Sequence, residues 1–422
     1  MKRILAIIVL LSAAASGARA TEADARRISE RIRDRHMPHG TILDPLYAAP
    51  GSDQIVSYAR AGDSAIWTGH YLAAESFRYA VTRSPEALEA VRRALDGVRL
   101  LVDVTDSNLL ARCVIPADSP WAAGIIAEEG RHGAYTRDWG GRPHVWFGNT
   151  SRDQYSGVFF GLGVAYDVVD DAAVRAKAGE LISRMLSFLL QRDWSVRMPD
   201  GTTSTTFLAS PLQRLNFLQL GRQVDPDRYG NNYDISRLRD SLTLSAQVLF
   251  DINDVHESYF KFNLATISFY HLIRFESSDF RGRYVDAYDL LRRTTDGHGN
   301  AHFNLVDRAL KGPDERRDTE TRLLLKEWLR RPARDEWLDW RQDGRYPPCG
   351  PDRACEPIPV TDRIRTDFLW QRSPFLLWGG GYGTVEGNGI DYILPYWMAR
   401  YYEVLGPDGR TLERGPTPVR PR

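Results

Sequence analysis

The stretch Ala65-Ile66-Trp67-Thr68-Gly69-His70-Tyr71-Leu72-Ala73-Ala74 carries no charge at any helical phase, as a helix buried on every side requires. Shortly after it, Ser84-Pro85-Glu86 supplies an N-cap with proline at the first helical position. Leu88, Val91, Leu95, Val98 and Val102 then recur at steps of three and four, while Arg92, Arg93, Asp96 and Arg99 fall outside that stripe. A wholly apolar helix followed by an amphipathic one is the unit from which the rest of the chain is read.

The couplet recurs. Tyr155 to Val169 is almost uncharged, and the helix after Asp171 sets Val174, Leu181, Met185 and Phe188 on one side, with Arg175, Lys177, Glu180 and Arg184 elsewhere. Phe207 to Leu220 precedes a charged helix from Ile235 to Ile252, Tyr259 to Ile273 precedes one from Phe280 to Arg293, and His298 to Leu310 precedes Glu315 to Arg330. An apolar helix, Asn388 to Tyr402, is left near the C-terminus, and an amphipathic one, Glu22 to Arg35, near the N-terminus. If these two pair, about six inner and six outer helices alternate and the chain ends meet, which predicts an all-α fold, an (α/α)6 toroid. The long Gly-, Pro- and aromatic-rich segments Asp106 to Thr150 and Pro332 to Gly387 are expected to cover one end, with small strands at Leu109 to Ile115 and Val196 to Thr206.

The N-terminus reads as an export signal. Lys2 and Arg3 precede an apolar run from Ile4 to Leu11, and Ala18-Arg19-Ala20 is a signal-peptidase pattern, so cleavage is expected after Ala20 and the protein is expected to be periplasmic or secreted. The apolar run is shorter than the roughly 20 residues a span needs, so no stable membrane anchor is expected. Residues 21–405 then form one domain, and 406–422 a flexible Pro/Arg-rich tail. In an oxidising compartment Cys349 and Cys355, bracketing a five-residue loop, read as a disulfide, and Cys113 as a buried strand residue.

Lys plus Arg and Asp plus Glu each number 55, so no net field attracts nucleic acid or an anionic membrane. Aromatic residues make up 11%, including 11 Trp and 19 Tyr, which favours a ligand with flat apolar faces such as a sugar. Zinc-protease, phosphate-loop, nucleophile-elbow and dinucleotide signatures are absent, and neither Asp251-Ile252-Asn253-Asp254 nor Asp296-Gly297-His298-Gly299-Asn300 follows a calcium-loop register, so no metal or cofactor is implied.

On Trp67-Thr68-Gly69-His70-Tyr71, Arg152-Asp153-Gln154-Tyr155-Ser156-Gly157 and Gly387-Asn388-Gly389-Ile390-Asp391-Tyr392, each at the start of an inner helix, the chain resembles the six-hairpin glycosidase superfamily. That resemblance implies a secreted or periplasmic (α/α)6 enzyme acting on a glycan.

Inner helices that all start at one end bring their N-termini and entering loops into one funnel, where helix dipoles favour anions. Asp63 to Tyr71, Ser151 to Tyr155, Ser204 to Thr206, His256 to Lys261, His298 to His302 and Glu386 to Tyr392 are expected to converge there, with His132, Tyr135, Asp138, Trp139, His144 and Trp146 from the first long loop. Asp153 is the leading catalytic candidate, against its simpler role as a helix-start carboxylate beside Arg152. Glycoside cleavage needs a second carboxylate at ~5 Å or ~6.5 to 9.5 Å, and Glu386 in a Gly-rich loop, Asp391 and Asp138 are each available. Arg152, Tyr155, His144 and His256 are the types a uronate lyase uses to neutralise a carboxylate and take a proton, the alternative chemistry. Trp67, Tyr71, Trp139, Trp146 and Tyr382 serve as stacking surfaces if exposed, and Trp67 and Tyr71 otherwise belong to the core. A non-catalytic exported protein that grips a glycan or a partner is the remaining reading, and it requires no convergent acid pair.

Overall fold

The computed structural model describes residues 19–253 and 259–412. It is mainly helical, 55% helix and 14% strand. Its α-helices are α1 Glu22–Arg31, α2 Ser64–Thr82, α3 Pro85–Asp103, α4 Ala122–Glu129, α5 Arg152–Val168, α6 Ala172–Leu190, α7 Pro211–Val224, α8 Pro226–Asp240, α9 Leu244–Ile252, α10 Phe260–Arg274, α11 Phe280–Thr295, α12 Ala301–Lys311, α13 Glu315–Trp328 and α14 Ile390–Tyr401.

The division into buried and half-buried helices holds. Every residue from Ser64 to Arg78 in α2 is buried, whereas α3 buries only the stripe through Ala87, Val91, Leu95, Val98 and Val102. Helices α5, α7, α10 and α14 are likewise largely buried, although α7 carries Arg214 and Arg222. α2 packs on α3, α5 and α14; α10 packs on α5, α7, α11 and α12; α12 packs on α13 and α14; and α1 packs on α14. The predicted helix Ile235 to Ile252 is two helices instead. α8 ends at Asp240, whose side chain is drawn inward to Arg214 at 2.9 Å, and a turn through Ser241 to Thr243 separates it from α9.

The tightest helix contact is between α2 and α5. A Cβ on Gly69 would lie 2.1 Å from the Gly157 carbonyl oxygen, and one on Gly161 would lie 2.1 Å from the Gly69 carbonyl oxygen, so the two backbones touch and only glycine fits. Asp63 and Asp153 stand just N-terminal to this crossing on their two helices, and Gln154 Nε2 bridges to Asp63 Oδ1 at 3.1 Å. The crossing therefore sets two carboxylate-bearing helix starts side by side.

Strands are more numerous than the sequence suggested. β1 Asp44–Tyr47, β2 Ile55–Ala59, β3 Cys113–Pro116, β4 Ala134–Trp139, β5 Arg142–Phe147, β6 Ser195–Arg197, β7 Thr203–Thr206, β8 Arg334–Asp339, β9 Pro348–Gly350, β10 Arg353–Ala354 and β11 Trp378–Glu386 form a four-stranded sheet in the order β2-β1-β11-β8, a three-stranded sheet in the order β3-β5-β4, and two hairpins. The expected strand at Leu109 to Ile115 begins later, at Cys113, because Leu109 to Ala111 turn under the sheet to bond α3 and Tyr155. Cys349 and Cys355 are disulfide-bonded, and Cys113 is buried in β3 with its thiol pushed up to about 12 by burial.

The apolar run expected to serve as an export signal lies in residues 1–18, outside the described residues. Beyond Gly406 the chain is folded further than expected. The Pro407 carbonyl accepts from Glu22 N–H at 2.9 Å and so satisfies a free donor at the start of α1, while residues 413–422 lie outside the described residues. No helix among the described residues is long and apolar enough to cross a membrane.

Candidate active site

At the N-terminal ends of α2 and α5 a cleft opens in two adjoining lobes. One, of about 580 Å³, is lined by Arg60, Asp63, Arg112, Glu129, His132, Arg365, Asp367, Arg372 and Trp378. The other, of about 480 Å³, is lined by Asp63, Asp153, Tyr259, Asp352, Asp367, Gln371 and Arg372. Asp63, Asp367 and Arg372 belong to both, so the acids stand where the lobes meet.

Each acid is free of the duty its position suggests. Asp63 is the N-cap of α2 but makes no capping bond, and its carboxylate instead meets Gln154 and, at 3.7 Å, Arg112. At the start of α5 the Ser151 N–H donates to Gln154 Oε1 at 2.8 Å, so Gln154 serves the helix start and Asp153, next to it, faces the cleft. Asp367 comes from the loop between β10 and β11 and accepts from the Phe368 N–H at 3.0 Å.

Burial first, then the neighbouring Asp367, push the Asp63 carboxyl up to about 7, with Asp153 and Glu129 adding to the shift and Arg112 opposing it. Its side chain still keeps 40% of its area accessible, so its proton can reach a ligand in the cleft. Burial also raises Asp153, against Arg152 and Arg112. Arg112 is locked in place by bonds from Nε to the Gly62 carbonyl at 2.7 Å and from Nη1 to the Asn149 carbonyl at 2.9 Å. His132 Nδ1 lies 2.6 Å from Glu129 Oε2. Arg372 has no ion pair or side-chain hydrogen bond among the described residues, so its guanidinium is free for a ligand.

The other expected residues are distributed differently. Glu386 is not in a flexible loop. It ends β11 with a fully buried side chain, accepts from the Tyr47 hydroxyl at 2.8 Å, and is gripped by Arg31 through both carboxylate oxygens and by His36 at 3.3 Å. Burial opposes its charge, but His36 and Arg31 win and hold it well below the usual carboxylate range. A carboxylate so stabilised cannot donate a proton near neutral pH. It acts instead as a clasp joining α1, β1 and β11. Asp391 is buried under Leu369, whose N–H it accepts at 3.2 Å, and has no opening to the cleft. Asp138 is exposed on the β4–β5 hairpin and lines neither lobe.

Arg152 is exposed and donates to Ser210 Oγ at 2.8 Å. Tyr155 is buried under Leu110 and Phe207, and Trp67 is core, stacked on Phe368 at 5.1 Å, as is Tyr71. Trp146 and His144 are buried in the three-stranded sheet rather than exposed, because Trp146 stacks on Tyr135 at 4.4 Å and His144 is covered by Trp139. Trp139 and Tyr382 are exposed but line neither lobe, and His256 lies outside the described residues. Of the expected site, then, the cleft contains Asp153, and of the wider converging set Asp63, His132, Tyr259 and Phe260. The inner-helix histidines His70 and His271 are buried and pushed down to about 4 and about 3, which keeps them neutral packing groups.

Asp367, Arg112, Gln371 and Arg372 were not singled out by the sequence. Asp63 had a usable signal, since it precedes Ser64 at the start of an apolar helix much as Asp153 follows Ser151. A larger groove, of about 760 Å³ between α7, α8 and α9, has an apolar wall of Trp194, Leu208 and Phe250, and its central charges, Arg214 and Asp240, neutralise each other. Among the described residues no group of three His, Cys, Asp or Glu is placed to hold a metal ion. Comparison with protein-family models, curated proteins and solved structures gives no match.

Proposed function

We propose that this chain is an exported carbohydrate-active enzyme of (α/α)6 toroid form that hydrolyses a glycosidic bond in the two-lobed cleft. The toroid reading is supported by the succession of inner-helix contacts, in which α14 packs on both α12 and α2, and by the packing of α1 on α14. The chemistry is supported above all by one observation: Asp63 is held up to about 7 beside the acids Asp153 and Asp367 in an accessible cleft. A carboxyl group held protonated close to neutral pH, with further carboxyl groups beside it, is what acid catalysis of glycoside cleavage uses.

In this reading Asp63 protonates the departing oxygen. Asp153 is the second carboxylate, acting on water or on the anomeric carbon, and the Asp367 charge adds to burial in keeping Asp63 protonated. Asp63→Asn and Asp153→Asn, assayed on an oligosaccharide panel, should each lower kcat by about a thousandfold or more. Retention of activity within about tenfold by both variants would remove the proposal.

His132, oriented by Glu129 in the same cleft as Arg112, supports a second reading, a lyase acting on a uronate-containing chain. Products absorbing in the ultraviolet would select it.

A further inference from the structure

The lip of the larger lobe carries a feature that the carboxylate chemistry does not use. Trp378, the first residue of β11, lines this lobe and remains 37% exposed. Trp337 on the paired strand β8 is 53% exposed, and its ring centroid lies 5.5 Å from that of Trp378 at a tilt of 51°. Trp378 is held in place. The Trp378 indole N–H donates to Asp352, and the Arg341 guanidinium, itself paired with Asp339, lies 5.0 Å from the Trp378 ring centre.

Gly379 and Gly380 follow Trp378 in the lining of the lobe, so this part of its wall is backbone. A Cβ on Gly380 would lie 1.9 Å from the Glu336 carbonyl oxygen, so the strand pairing itself keeps side chains out of this stretch. Tyr382, 85% exposed, continues the same strand. Soluble proteins bury most tryptophan, and a solvent-facing pair at the mouth of a polar cleft marks a binding surface. Indole faces match the apolar C–H face of a pyranose ring, and a 5.5 Å centroid spacing across the paired strands β8 and β11 suits successive rings of one chain.

We propose that Trp337 and Trp378 form a stacking platform that continues the cleft outward, so that the substrate is a glycan chain longer than the cleft holds. This rests on the glycosidic reading of the cleft, and the platform's occupant is the remainder of that same chain.

The test uses the full mature protein in two assays. In affinity electrophoresis through gels containing xylan, glucomannan, polygalacturonate, alginate or hyaluronan, at least one polymer should retard the wild type. Trp337→Ala should weaken that retardation fivefold or more, and Trp337→Phe should restore most of it. On the oligosaccharides of the retarding polymer, Trp337→Ala should lower the ratio of kcat/KM for long over short chains by a similar factor. Retardation and chain-length ratio both unmoved by Trp337→Ala would overturn the platform, while hydrolysis abolished by Asp63→Asn would leave the cleft reading intact. Absence of retardation by any polymer overturns the platform too, and cleavage of short aryl glycosides then judges the cleft on its own. A sedimenting dimer that Trp337→Ala dissolves would assign the patch to a second copy of the chain and equally overturn it.

Discussion

Replacing Glu386 by Gln separates a clasp from a catalyst. The substitution keeps the shape and removes one charge whose side chain is completely buried against Arg31, His36 and Tyr47. Breaking a buried pair by neutralising one partner costs about 3–5 kcal/mol, because the other charge is stranded. Here the low end applies. Arg31 is 44% exposed and can turn to water, and His36 keeps Asp44 at 3.3 Å, so we expect a loss of about 3 kcal/mol.

That is a large share of a typical folding stability, and it is read as a lower urea midpoint with an unchanged slope. The sign with pH follows from the shifts. Glu386 lies below its unfolded value, so its stabilisation is present above about pH 4.5 and fades as pH falls through the lower folded value. His36, held between two carboxylates and raised above 6.5, stabilises fully below that pH and loses its share as pH rises through its folded value. Glu386→Gln should therefore flatten the acid limb of the wild-type stability curve. A variant that unfolds at the wild-type midpoint yet loses a hundredfold in turnover would refute the clasp and return Glu386 to the chemistry.

Gly69→Ala should destabilise by about 1–3 kcal/mol or prevent folding, since its methyl would enter the Gly157 carbonyl across the α2–α5 crossing, and thermal melts read this directly. For Asp63, whose folded value of about 7 lies above the unfolded one, the folded state holds a proton that the unfolded state has released. Its contribution to stability therefore declines as pH rises from about 4 to about 7, and Asp63→Asn should remove that slope from a pH series of urea midpoints. Cys113, buried and raised to about 12, should resist iodoacetamide in the native protein and react only in denaturant, as followed by mass spectrometry.

The helices were legible because they obey a local rule. An uncharged run such as Ile66 to Ala74 and a 3–4 stripe such as Leu88 to Val102 each state which faces are buried, without reference to the rest of the chain. The break at Ser241 to Thr243 was not legible, because it depends on Asp240 reaching across to Arg214. The site divides in the same way. Asp153 was visible as a carboxylate opening an apolar helix, and Asp63 sits in an equivalent place. Asp367 is put beside them by a loop whose course is set by long-range strand pairing, for which the residues near Asp367 carry no periodic signal. Glu386 misled for a physical reason: its Gly-rich neighbours suggest mobility, but the glycines there serve close strand pairing and the carboxylate is sequestered by residues more than three hundred positions away.

Asp63 carries the proton delivered in the reaction, and its high proton affinity comes from burial first and from the neighbouring Asp367 second. The pH profile of kcat/KM on a cleaved oligosaccharide, measured for the wild type and for Asp367→Asn, tests it most directly. The wild type should show a basic limb with its midpoint near 7 that moves to lower pH when Asp367 loses its charge. A basic limb that stays in place in Asp367→Asn, or that survives in Asp63→Asn, would contradict it.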